Sequence, residues 1–258
     1  LEMRGNSSKI MQDKIKQLSI VLVRPQIGEN IGAAARAMWN FGLDRMRVVA
    51  PRDGWPNQKA IAMASGAGRL LDEAGHYKDV ASAIADSHFT LATTARSRGL
   101  TKQIYSPEDA MQLASQKIRE GQKVSLLFGP ERAGLENEDI AQANALVSVP
   151  VNPEFPSLNL AQCVLLLSYE WWRAYELETT THMEMAKSDW AIGEEIQHLA
   201  RHYEERLEEA GFFFPATKAQ GMKTNLRNMW SRLPLTRADV QMFHGMLRQM
   251  VRWKEKGP

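Results

Sequence analysis

The residues best able to do chemistry fall in three short stretches, each beside an apolar run. Val147-Ser-Val-Pro-Val-Asn-Pro-Glu-Phe-Pro-Ser-Leu-Asn-Leu-Ala-Gln-Cys163 leads from a short strand through a proline-punctuated turn into a helix start. Pro150, Pro153 and Pro156 stiffen the turn and remove amide donors, which leaves carbonyls such as those of Val149 and Val151 available to a ligand. Ser157 falls where an N-cap belongs, so helix amides and the positive end of the dipole open onto the same space. With the hydroxyl of Ser157 and the amide of Asn159 alongside, the stretch fits either a pocket for a polar cofactor or an ordinary strand-to-helix connection. A second stretch, Gln26 to Gly42, has Asn30 placed to cap a helix and Gly42 to end it. Small residues from Gly32 to Ala35 would let that helix approach another backbone closely. Arg36, close to the apolar Met38 and Trp39, faces either a ligand, an interface or plain solvent. The third stretch is the tight turn Gly129-Pro-Glu131-Arg-Ala-Gly134-Leu135.

Other chemistries find less support. His198 and His202 have the i, i+4 spacing of a helical zinc pair, but Leu199 stands where a general-base glutamate would be, and an acidic helix normally carries such a stripe in solvent, so no metal site is expected. There is no Gly-x-x-x-x-Gly-Lys loop and no Gly-x-Gly-x-x-Gly after a strand, which removes the usual marks of nucleotide hydrolysis and hydride transfer. The single cysteine, Cys163, lies in an apolar run and reads as a buried thiol.

The elements that must position these stretches alternate in type. Strands are expected at Leu18–Val23, Arg47–Ala50, His88–Thr93 and Lys123–Phe128, with helices from Asn30, over Gln58–Ala74, near Asp79–Ala85, from Ser106 to about Glu120, near Asn137–Ala143 and from Leu158 to about Leu177. That alternation predicts an α/β layer fold with a mostly parallel sheet flanked by helices. The polar run 179–187 reads as a linker. It divides a flexible start (1–17) and an α/β domain (18–178) from an all-helical extension (188–258), in which Asp189–Ala210 is acidic and amphipathic and Thr236-Arg-Ala-Asp239 forms a capping box.

With 44% hydrophobic residues the chain can fill one full core and a smaller appendage. No run reaches the roughly 18 apolar residues of a membrane span. One cysteine fits the cell interior, so no membrane partner and a cytoplasmic location are expected. The net charge of +2 hides an asymmetry: from Ala216 on, Lys218, Lys223, Arg227, Arg232, Arg237, Arg248, Arg252, Lys254 and Lys256 outweigh Asp239 and Glu255. Trp230 and Trp253 interleave with them, a pattern that suits a phosphate backbone.

Taken together, Asn30-x-Gly32-x-x-x-Arg36, Leu127-Phe-Gly129-Pro-Glu131-x-x-Gly134-Leu135 and Val149-Pro-Val-x-Pro-x-x-Pro156-Ser157-Leu158-Asn159-Leu160 resemble the three ordered motifs of the SpoU branch of the SPOUT RNA methyltransferases. The match spans residues 18 to about 178. Thr93-Thr-Ala-Arg-Ser-Arg98 and the helical extension narrow it toward the branch's tRNA 2′-O-ribose methyltransferases. The resemblance implies a C-terminal trefoil knot, S-adenosylmethionine as cofactor, a homodimer with active sites at the interface, and a ribose at tRNA position 32 in the anticodon loop as substrate. It assigns cofactor contacts to Thr93, Thr94, Ala95, Gly129, Val149, Pro156, Ser157 and Leu158. It assigns active-site roles to Asn30, Arg36, Glu131, Ser157 and Asn159, with Asn30 and Glu131 fixing Arg36. RNA contacts would come from Arg36, Lys218, Lys223, Arg227, Arg232, Arg248 and Arg252. Ribosomal RNA as substrate, or a non-catalytic RNA-binding role, are the alternatives.

Overall fold

Seven parallel strands form one sheet in the order β3-β2-β1-β6-β4-β7-β5. They are β1 (Leu18–Val23), β2 (Arg45–Val49), β3 (Gly75–Tyr77), β4 (Phe89–Thr93), β5 (Ile104–Tyr105), β6 (Val124–Phe128) and β7 (Ala145–Val147). The computed structural model describes residues 18–95, 99–175 and 188–256. The expectations for 1–17, for Arg96-Ser97-Arg98, for the linker 179–187 and for the side chains of Trp253, Lys254 and Lys256 lie outside its described residues and side chains.

Every residue of β1 is buried, as a central strand without a polar face requires. It pairs with β2 from Ser19↔Arg45 to Val23↔Val49 and with β6 from Leu18↔Val124 to Leu22↔Phe128. β4 joins β6 to β7. Neighbours in the middle of the sheet therefore come from distant parts of the chain, and the loops leaving β4, β6 and β7 emerge side by side at their C-terminal ends, where ligands of parallel α/β sheets bind.

The helices are α1 (Gly28–Asn40), α2 (Gln58–Ala64), α3 (Gly68–Asp72), α4 (Val80–Ile84), α5 (Pro107–Arg119), α6 (Asn137–Ala141) and α7 (Leu160–Tyr175), followed by α8 (Gly193–Glu209), α9 (Ala216–Ser231) and α10 (Arg237–Lys256). Local chemistry starts several of them. Ser106 accepts the Asp109 amide at 3.1 Å ahead of Pro107, and Thr236 and Asp239 form the expected capping box. The helix expected over Gln58–Ala74 is broken: Ser65 adopts φ 52°, and a single 3-10 turn separates α2 from α3. β3 and β5, of three and two residues, were too short to show a period.

Asn30 does not cap α1. The helix begins two residues earlier, and Asn30 is buried inside it. Nor does the small-residue face of α1 point outward. A Cβ on Gly32 would lie 2.1 Å from the Ala60 carbonyl and 2.9 Å from the Ala64 amide, so the close approach is to α2 of the same chain. Gly32→Ala is expected to cost about 3 kcal/mol, the upper end for overpacking, because backbone atoms rather than rotatable side chains stand in the way. Urea denaturation would measure this; a loss under about 0.5 kcal/mol would mean the two helices slide apart freely.

α8, α9 and α10 bury Leu199, Ala200, Trp230 and Val240 in a core of their own. Trp230 packs between Tyr203 and Phe243, with ring centroids 4.9 and 5.3 Å away, and so is not available to stack on RNA. His202 turns to His244, their Nδ1 atoms 2.8 Å apart, a contact that needs one ring to donate and the other to accept. Among the described residues no three metal-ligating side chains gather. Burial, then His202, Arg248 and His198, hold His244 below the ordinary histidine value of 6.5. The folded state thus binds fewer protons than the unfolded one just below that value; the stabilisation is complete above it and fades as pH falls through it. The melting temperature should drop between about pH 7.5 and about pH 5.5, and His244→Gln should flatten that slope. An unchanged slope would show that the pair is not strained by protonation.

Candidate active site

Three of the five residues expected to act together, Glu131, Asn30 and Asn159, meet around one carboxylate. Glu131, on the turn after β6, accepts the Gln26 amide at 2.8 Å through Oε2 and the Ile27 amide at 3.2 Å through Oε1. The same Oε1 accepts the Asn30 side-chain amide at 2.9 Å. Asn30 Oδ1 in turn accepts Asn159 Nδ2 at 2.9 Å. Glu131, Asn30 and Asn159 thus form a chain tying the β6 turn, the start of α1 and the start of α7 together. A carboxylate accepting three N–H groups is a strong anchor, since charged hydrogen bonds are about twice as strong as neutral ones.

A second clasp lies beside it. Arg24, at φ 47° just past β1, grips the buried Asp139 of α6 with both guanidinium nitrogens, one at 3.2 Å and the other closer. Asp139 also accepts the Glu136 amide at 2.9 Å, closing a capping box. The turn from Gly129 to Leu135 is therefore held at Glu131 and again at the helix that follows it.

Asn159, and not Ser157, caps α7: its Oδ1 accepts the amides of Ala161 at 2.9 Å and Gln162 at 3.3 Å. Asn159 can do both jobs because its oxygen serves the helix while its nitrogen reaches Asn30. That leaves Ser157 in the preceding turn, where it lines a cavity of about 270 Å³. All eight residues expected to hold a cofactor, Thr93, Thr94, Ala95, Gly129, Val149, Pro156, Ser157 and Leu158, line that cavity, as does Glu131. Thr93 Oγ1 donates to the Leu127 carbonyl at 3.0 Å and the Thr94 amide to Val147 at 2.9 Å, which fixes the β4 wall. Sequence reasoning left out Phe128, Pro130, Arg132 to Gly134, Val147, Leu160 and Cys163, which complete the lining. Leu160 and Cys163 stand at i, i+3 on the first turn of α7, a spacing that marks one face. Burial pushes the Cys163 thiol up to about 12, so it is a neutral wall atom rather than a nucleophile.

Arg36 is elsewhere. It is exposed on α1, outside the cavity lining, and among the described residues no hydrogen bond joins it to Asn30 or Glu131. Six residues along a helix turn it about a third of a turn from Asn30 and roughly 9 Å up the axis. Glu131 and Asn30 therefore set the helix that carries Arg36 and do not touch the arginine itself.

In the extension, Lys223 pairs with Glu208 at 2.8 Å and Arg227 binds both oxygens of Glu204 at 2.9 and 3.0 Å, so α8 neutralises two of the expected RNA contacts. Lys218, Arg232, Arg248 and Arg252 are exposed. On α7, Leu165, Leu166, Tyr169 and Trp172 form an exposed apolar stripe at helical spacing. No helix among the described residues is long and apolar enough to cross a membrane.

Comparison with known proteins gives the same picture. The model of the SpoU rRNA Methylase family matches residues 17–169, and that of the tRNA methyltransferase TrmJ C-terminal domain matches residues 194–257. A tRNA (cytidine/uridine/adenosine-2′-O-)-methyltransferase TrmJ from Pseudomonas aeruginosa is 31% identical over 92% of this chain and 93% of its own. The crystal structure of TrmJ from Z. mobilis ZM4 superposes with a TM-score of 0.80 at 45% identity, covering 90% of this chain and 98% of that one. A methylase family protein from Neisseria gonorrhoeae follows with a TM-score of 0.66 at 30% identity, over 74% and 95% of the two chains.

Proposed function

The chain belongs to the SpoU rRNA methylase family and groups there with the TrmJ enzymes, and from that premise we propose that it transfers a methyl group from S-adenosylmethionine to a ribose 2′-hydroxyl of tRNA. The observation that carries this reading is the cavity at the ends of β4, β6 and β7. Its make-up fits the donor: Phe128, Val149, Leu158 and Leu160 offer apolar walls for the adenine and the methylene groups of the methionine chain, while Ser157 and the backbone around Gly129 offer polar contacts. When bound, S-adenosylmethionine supplies an electrophilic sulfonium methyl.

The protein's own groups have the remaining work. A 2′-hydroxyl is a weak nucleophile and gains most from being held in line with the methyl carbon. As the new O–C bond forms and the C–S bond breaks, the hydroxyl proton leaves and charge develops on oxygen. Arg36 cannot take that proton at its pKa, but its guanidinium can stabilise the developing alkoxide and the neighbouring phosphate, while water or phosphate accepts the proton. Ser157 and Asn159 would orient the ribose, and the Glu131–Asn30–Asn159 chain keeps the walls in register.

Because Arg36 lies outside the cavity of its own chain, the reading assigns the arginine of one subunit to the cavity of the other. The apolar stripe of α7 supports a homodimer. The knot, the division at 179–187 and an anticodon-loop target at position 32 belong to the same reading, as does the cytoplasm, where tRNA is modified. Lys218, Arg232, Arg248 and Arg252 would grip the tRNA backbone. Incubating the protein with labelled S-adenosylmethionine and either unmodified tRNA or ribosomal RNA tests the proposal. Label confined to tRNA as a 2′-O-methyl is the expected result; label in ribosomal RNA alone, or in neither, would overturn it.

A further inference from the structure

Among the described residues, the extension hydrogen-bonds to the rest of the molecule in two places: the Gly193 and Glu194 amides donate to the carbonyls of Ser87 at 2.6 Å and Ala85 at 3.1 Å, and a set of polar contacts from α9 reaches segments continuous with the cavity walls. The connection between β4 and β5 begins with Thr93 to Ala95, which line the cavity. Its other end is fastened by α9: the Thr101 carbonyl accepts Asn228 Nδ2 at 3.2 Å, and the Lys102 ammonium donates to Ser231 Oγ at 2.7 Å. Lys102 also donates to the carbonyls of Ala141, at 3.3 Å, and Ala143. Those carbonyls lie at the C-terminal end of α6, the helix that follows the Glu131 turn, where a cation is favoured. Ser231 completes the knot of contacts, its hydroxyl donating to Ala141 and its carbonyl accepting from Asn144. Asn144 Oδ1 accepts the Thr90 amide of β4 at 2.6 Å.

This is an unusual place for an ammonium. Burial, and after it the Arg232 guanidinium, push its pKa down to about 7. A desolvated cation is tolerated only when each of its protons has an acceptor. One acceptor is the last residue of α6, one lies two residues past it and the third comes from α9, so the charge is fully satisfied only while the extension is docked.

We infer that the C-terminal extension is a positioning device for the methyl-donor pocket, acting through Ser231 and Asn228 on Lys102 and Thr101. The inference rests on the donor reading of the cavity given above. RNA binding by the extension and donor binding by the cavity are thereby linked through one polar strut: what displaces α9 releases Thr101, Lys102 and the end of α6, and frees Asn144 from Ser231 while it still holds the Thr90 amide of β4, the strand whose end walls the cavity, and donor affinity falls. Ser231 and Asn228 are positioning residues, since neither lines the cavity.

Ser231→Ala in the full chain removes the hydroxyl and leaves the ammonium one acceptor short, at a cost typical of a lost hydrogen bond to a charged group. Calorimetric titration with S-adenosylmethionine alone should show donor affinity about tenfold weaker, while filter-binding affinity for tRNA changes by less than about twofold. In turnover assays the donor KM should rise about tenfold with kcat at saturating donor nearly unchanged. Ser231→Thr, which keeps the hydroxyl, should restore donor affinity. A purely structural role would lower the active fraction, and so kcat, with KM unmoved. Should Ser231→Ala fold poorly, Asn228→Ser, which removes the amide that holds Thr101 and leaves Ser231 in place, gives the same readout at smaller amplitude. Unchanged donor affinity in a folded variant, beside a binding wild type, overturns the inference alone. Failure of the wild type to bind S-adenosylmethionine overturns the donor reading and this inference with it.

Discussion

Arg36→Ala is expected to lower kcat for methyl transfer by at least about 10²- to 10³-fold, the range for removing one group that stabilises developing charge on oxygen. Donor affinity should change little, because Arg36 is absent from the lining of its own chain's cavity and is assigned to the ribose hydroxyl and phosphate of the RNA rather than to the donor. Stability should not change either: the side chain is exposed, and substitutions of that kind are normally worth less than about 0.5 kcal/mol. Arg36→Lys keeps the charge and loses the planar fork, so it should recover only a part of the rate. Single-turnover transfer to tRNA alongside donor calorimetry measures both quantities. Full turnover in Arg36→Ala would remove the arginine from the mechanism.

The same variant decides whether the site is shared between subunits. If the arginine acts on the partner's cavity, mixing Arg36→Ala with a variant whose cavity is closed creates heterodimers in which one of two sites is intact. Random reassociation should then restore about a quarter of wild-type activity. If cavity and arginine act within one chain, the mixture stays inactive.

How much of this was readable beforehand depends on how far each residue's partner lies along the chain. β1 is apolar but for Ser19 and buried throughout, and its place at the middle of a parallel sheet follows from that. The cavity residues could be named because the stretches around Thr93, Gly129 and Ser157 carry the family resemblance, and each lies within a few residues of a strand end. What was not readable was set by contacts between different elements, from 15 residues apart, as for Lys223 and Glu208, to more than 100. Asn30 and Ser157 both look like caps, yet Asn30 is buried by its bonds to Glu131 and Asn159, 101 and 129 residues away. Asn159 caps α7 because it faces both ways, which no window of sequence reveals. Gly32 signalled close packing correctly, but not that the neighbour was α2 of its own chain. Lys223 and Arg227 looked like free cations until α8 folded back with Glu204 and Glu208. Charge counted along a segment overstates the charge that an RNA meets when an acidic helix packs against it.

Gly129→Ala should be the most damaging single methyl group. A Cβ at this position would stand 2.2 Å from the Leu135 amide nitrogen, 2.4 Å from the Gly134 carbonyl carbon and 2.9 Å from the Gly134 Cα. All three are backbone atoms of a turn already closed by the Gly134 amide donating to Pro130 at 2.9 Å, with Gly134 itself at φ 65°. No rotamer change relieves the clash, so the turn must open. Opening it moves Glu131, and with it the anchor on Gln26, Ile27 and Asn30. We expect a stability loss of about 3 kcal/mol by urea denaturation, and donor affinity weaker by about 100-fold or more, the cost of two or so misplaced contacts. Glu131→Gln separates the two effects. It keeps the turn closed and the cavity's shape, but sets an amide NH₂ against backbone donors that now have a carboxylate, so the start of α1 should loosen while the donor still binds within about tenfold of wild type. Equal losses of donor affinity in the two variants would mean that the carboxylate, and not the shape of the turn, makes the pocket.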